Sequence, residues 1–60
     1  MVTYYNDYEI HITPNFDIIA TKMMSGGLYE SFACYEGEWD KNPPDDIRAW
    51  YDRFSGRVTV

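Results

Sequence analysis

Sixty residues with ten Asp and Glu against five Lys and Arg carry a formal charge of −5 and a pI near 4.4. That field attracts basic surfaces and repels phosphate backbones, which counts against direct nucleic-acid binding. Acidity often means disorder, but 45% apolar and 18% aromatic residues supply a core and exclude it.

Tyr8, Ile10 and Ile12 alternate with Glu9, His11 and Thr13. Residues 4–13 therefore read as one half-buried strand, ended by Pro14-Asn15, where proline cannot donate to a ladder. Residues 16–24 and 28–35 flank Ser25-Gly26-Gly27 and predict a hairpin. Chemistry selects its register. A two-residue loop pairs Ile19 with Cys34 and Met23 with Glu30. A three-residue loop with a left-handed glycine pairs Met24 with Leu28, Lys22 with Glu30, Ala20 with Phe32 and Ile18 with Cys34. The second groups Phe16, Ile18, Ala20, Met24, Leu28, Phe32 and Cys34 on one face and sets a lysine opposite a glutamate. It is the expected register. Ile19, Met23, Tyr29 and Tyr35 then form an apolar patch on the other face, a surface for a second copy or a larger assembly.

Residues 36–41 read as a charged connection. Asn42-Pro43-Pro44-Asp45-Asp46 then opens a helix, with Asn42 as cap, proline in the first turn and two Asp at the positive end of the dipole. Ile47, Trp50, Tyr51 and Phe54 follow at i, i+3, i+4 and i+7, one apolar stripe. Gly56 is expected to close the helix in a left-handed cap, leaving residues 57–60 as a tail able to add a strand.

The expected fold is α+β: one domain over residues 1–60, with a small antiparallel sheet of three or four strands and one helix packed on one face. The element order is β-β-β-α with an optional C-terminal β. Core candidates are Ile10, Ile12, Phe16, Ile18, Ala20, Phe32, Cys34, Ile47, Trp50, Phe54 and Val58. A domain this small is marginally stable without help. Cys34 is the only cysteine and His11 the only histidine, so neither an internal disulfide nor a four-ligand Cys/His zinc site can form in one chain. No secretory leader or run of about 20 apolar residues is read. The expectation is a soluble cytoplasmic protein in a reducing compartment.

Charge is distributed unevenly. Residues 30–46 hold Glu30, Glu36, Glu38, Asp40, Asp45 and Asp46 against Lys41 alone, which places the whole net charge in that segment. Such a segment can be simply a solvated loop. Its functional reading is a negative ridge docking on a Lys/Arg-rich protein surface, with Trp39 as anchor. A row of carboxylates can also imitate phosphates and occupy a basic groove made for DNA or RNA. In size and charge the chain is similar to small phage-encoded inhibitors, anti-CRISPR proteins and DNA mimics among them, although it holds no motif of any such family. That resemblance implies an inhibitor of a nucleic-acid-handling protein.

Other chemistry fits poorly. Glu36, Glu38 and Asp40 alternate as calcium ligands do, but Gly37 and Trp39 fill the wrong slots and no 12-residue loop follows. Nothing in the spacing of His11 and Cys34 suggests a catalytic dyad. Gly26-Gly27 joins strands and opens no helix, so it is no phosphate cradle. The reading is a non-enzymatic binder without metal or cofactor. Its partner site is Glu30, Glu36, Glu38, Trp39, Asp40, Asp45 and Asp46, and its alternative is a homodimer through Ile19, Met23, Tyr29 and Tyr35.

Overall fold

The computed structural model describes residues 1–58. Its five-stranded antiparallel sheet is a simple meander, β1 (Val2–Tyr5), β2 (Tyr8–Ile12), β3 (Ile18–Met23), β4 (Tyr29–Tyr35) and β5 (Glu38–Trp39), followed by one helix, α1 (Asp45–Val58). The class is α+β, as the residue pattern implies, and the strand count is higher than expected.

Both additional strands come from tight two-residue turns. The segment read as one strand over residues 4–13 is two, because Asn6 takes a left-handed φ of 52° and reverses the chain between Tyr5 and Tyr8. Asparagine tolerates that conformation better than most residues. The stretch read as a charged connection folds back as β5, paired through Cys34↔Trp39 and Tyr35↔Glu38. There Glu36 (φ 54°) and Gly37 (φ 83°) supply the two positive φ angles that a type I′ hairpin needs.

The central hairpin has the expected three-residue turn. Gly26 and Gly27 sit at φ 81° and 79°, and the Met24 amide donates to the Leu28 carbonyl at 2.6 Å. The register follows as Lys22↔Glu30, Ala20↔Phe32 and Ile18↔Cys34. Cross-strand partners share a face, so this register separates the sheet into an inner side under the helix and an outer side.

Tyr8, Ile10, Ile12, Ile18, Ala20, Phe32 and Cys34 form the buried inner face, and Ile47 of α1 is fully buried against them. Trp50, Tyr51 and Phe54, the rest of the helical stripe, are partly buried and pack on this cluster with Tyr5 and Trp39. Phe16 departs from the expected core. It lies before β3 at a φ of 65°, half exposed, with its ring 6.4 Å from that of Phe54. Met24 and Leu28 share the inner parity but are exposed.

The helix also differs at both ends. It begins at Asp45, with the Arg48 amide donating to the Pro44 carbonyl at 3.0 Å. The side chain of Asn42 accepts instead from the Arg48 guanidinium at 2.6 Å. Gly56 does not close the helix, which continues to Val58. The expected final strand therefore fails at Arg57 and Val58, while Thr59, Val60 and the side chain of Val58 lie outside the described residues. No helix among the described residues is long and apolar enough to cross a membrane.

Candidate functional site

The acidic segment is contiguous in sequence but the meander divides it in space. Glu30 and Glu36 stand near opposite ends of β4, about 20 Å apart at the rise of a strand. Glu30 joins Asp46 and Asp7 around Tyr8 at the N-terminal end of the helix, where burial first and then these three carboxylates raise the tyrosine hydroxyl above its ordinary 10.0. The Asn6 amide donates to Asp46 Oδ2 at 3.2 Å and ties the first turn to the helix start. Asp45 is exposed beside it, where both aspartates favour the helix dipole.

Glu36, Glu38 and Asp40 occupy the other end, on and after the last hairpin. Asp40 serves the backbone: its Oδ1 accepts the Ala33 amide at 3.0 Å and its own amide donates to the Ala33 carbonyl at 2.9 Å, extending the β4–β5 pairing. A residue outside the segment joins this end, because Asp17 Oδ1 accepts the Glu36 amide at 2.9 Å. Sequence distance hid Asp17; only the fold brings the β2–β3 connection beside the last hairpin. Trp39 is not displayed with the acids. It faces inward, partly buried, with its ring edge-on to Tyr51 at 5.5 Å and 74°. Its parity explains this, since Trp39 pairs with buried Cys34 while Glu38 pairs with exposed Tyr35.

Three of the cations contact rings or an amide and no carboxylate within ion-pair distance. Lys22 Nζ lies 5.7 Å from the centre of the Tyr8 ring, Lys41 Nζ 5.2 Å from that of Phe32, and Arg48 holds Asn42. The register sets Lys22 opposite Glu30, yet the two form no ion pair. Among the described residues the one ion-pair contact is His11 Nε2 to Glu9 Oε2 at 3.1 Å, on the outer face, so no Asp or Glu is neutralised by Lys or Arg.

Beneath the helix, Cys34 is fully buried, and Tyr51 of the helical stripe packs on the same core. Burial is the main cause that raises both groups above their ordinary values. His11 sits on the outer face with Glu9, so His11 and Cys34 lie on opposite sides of the sheet. Among the described residues no cluster of three or more His, Cys, Asp or Glu is placed to hold a metal ion.

Among the described residues nothing forms a layer over the outer face. Ile19, Met23, Tyr29 and Tyr35 share it, with Met23 directly opposite Tyr29. Val2 and Tyr4 of β1 extend the same surface, and Met23, Tyr29 and Tyr4 are each more than 60% exposed. Tyr4 thus lies beside the patch and leaves it open.

Two clefts flank the helix. One is about 550 Å³ and is lined chiefly by Phe16, Asp17, Glu36, Gly37 and Tyr51. The other, about 260 Å³, joins Tyr5, Trp50 and Phe54 to Arg53 and Arg57. No family model, curated protein or solved structure matches the chain.

Proposed function

We propose that this chain is a non-enzymatic acidic module that docks on the Lys/Arg-rich surface of a nucleic-acid-handling protein and inhibits it by standing in for phosphates. The observation that supports the reading is the state of the charges. The carboxylates carry no Lys or Arg counter-ion among the described residues, while Lys22, Lys41 and Arg48 are spent on aromatic rings and an amide. Un-neutralised carboxylates keep their field available to a basic partner, where they steer encounter and fix register.

Contact falls to two groups: Glu30, Asp45 and Asp46 at the helix start, and Glu36, Glu38 and Asp40 at the last hairpin. Trp39 acts in this reading by holding the hairpin under the helix, since its ring is committed to Tyr51. Separation of the two groups suits a groove whose basic residues lie on two sides.

A second reading is favoured by the open outer face. There Ile19, Met23, Tyr29 and Tyr35, joined by Val2 and Tyr4, pair two copies or dock the chain on a larger assembly. Capture from extract of the native cell separates the two. Under the acidic reading, the chain retains a basic nucleic-acid-binding protein that added duplex DNA displaces. Glu36→Lys with Glu38→Lys abolishes retention and Tyr35→Lys leaves it intact. Retention lost with Tyr35→Lys and indifferent to the glutamates contradicts the acidic reading and supports the other.

A further inference from the structure

We propose that the larger cleft, between the β2–β3 connection, the β4–β5 turn and the second half of α1, receives a guanidinium group, an arginine side chain presented by a polypeptide. This rests on the acidic docking above and names the group it recognises.

The cleft, about 550 Å³, is within the usual size of a small-ligand site. Its walls include two rings, Phe16 and Tyr51, and two carboxylates, Asp17 and Glu36, completed by Asn15, Gly37 and Ser55; among the described residues no Lys or Arg lines it. Each ring has an aromatic neighbour. The ring centres of Phe16 and Phe54 are 6.4 Å apart and those of Tyr51 and Trp39 5.5 Å apart. Asp17 is fixed: its amide donates to Thr13 Oγ1 at 3.0 Å and its Oδ1 accepts the Glu36 amide. Asp17 Oδ2 and the carboxylate of Glu36 have no hydrogen-bond partner among the described residues.

The same molecule shows what such a combination of groups takes. At the other end of the sheet, Tyr8 stands among Asp7, Glu30 and Asp46, and there Lys22 brings its ammonium over the ring. The cleft repeats ring and carboxylates, but among the described residues no Lys or Arg lines it. A cation from outside completes it. Guanidinium fits better than ammonium, because it is planar, weakly hydrated, stacks on aromatic faces and bonds carboxylates through a fork of N–H groups. A metal ion fits poorly, since two carboxylates on separate turns fall short of the six or more oxygens that calcium takes.

The test is an amide-resolved NMR titration with N-acetylarginine methylamide, alongside its uncharged citrulline counterpart. Saturable shifts at Asp17, Glu36 and Gly37, absent with citrulline, are the expected result. Asp17→Asn keeps an oxygen for the Glu36 amide, so the turn survives, and it should weaken binding about five-fold, as should Glu36→Gln. Equal binding of citrulline, or shifts spread evenly over Asp7, Glu30 and Asp46, overturns the proposal. The probe carries no extended basic surface, so the two readings fail separately. An untouched cleft with partner capture still abolished by Glu36→Lys and Glu38→Lys removes the arginine site alone. A filled cleft with capture indifferent to those substitutions removes the docking function alone.

Discussion

Among the described residues, Tyr8, Cys34 and Tyr51 are the three groups whose proton affinity the fold raises, each chiefly through burial. Their pKa values rise above the ordinary 10.0, 9.0 and 10.0, so the folded chain retains protons that the unfolded chain has released. Stability from this source is complete below pH 9.0 and is lost as pH rises through the raised values. Urea unfolding at pH ~7.5 and ~10.5 should show a clearly lower midpoint at the alkaline value, with no matching loss in a Cys34→Ala, Tyr51→Phe background beyond what Tyr8 contributes. An unchanged midpoint contradicts the assignment. The burial of Cys34 was legible, because pairing with Ile18 places it on the inner face. The place of Tyr51 over the core was not: a strand register says nothing about where along the sheet a helix lays its stripe.

Among the elements, the hairpins divide by how their turns are written. Ser25-Gly26-Gly27 announced both its position and its length, and the Lys22/Glu30 pairing fixed the register correctly. The Asn6-Asp7 turn has no glycine and runs between tyrosines that look continuous, so two strands read as one. The last hairpin was missed because β5 is two residues long, below the length at which alternation can be seen. Glu36 there occupies a left-handed position that Asn takes at lower cost. Glu36→Asn should therefore raise stability by about 0.5–1 kcal/mol in chemical denaturation, while weakening capture of a basic partner. A loss of stability would show that the turn is held by something other than its backbone conformation. The helical stripe was legible from Ile47 to Phe54. Its end was not, because a glycine near a helix terminus permits a left-handed cap without requiring one, and Gly56 continues the helix.

At the scale of the whole molecule, a run of charge in sequence became two groups in space. The sequence places Glu30 and Glu36 six residues apart, and on an extended strand that carries them to opposite ends. The fold then adds Asp7 and Asp17, acids that no local pattern joined to the segment. Trp39 went the other way, from the predicted anchor to a prop beneath the helix, because strand parity outranks its acidic neighbours. The acid side chains remain without Lys or Arg partners throughout the described residues, and the docking account stands on that state. Its most direct test is the affinity of the captured complex across a salt series, from ~50 to ~300 mM NaCl. The account predicts a fall of about tenfold or more, reduced in slope when Glu36 and Glu38 become glutamine. An affinity indifferent to salt over that range would contradict it.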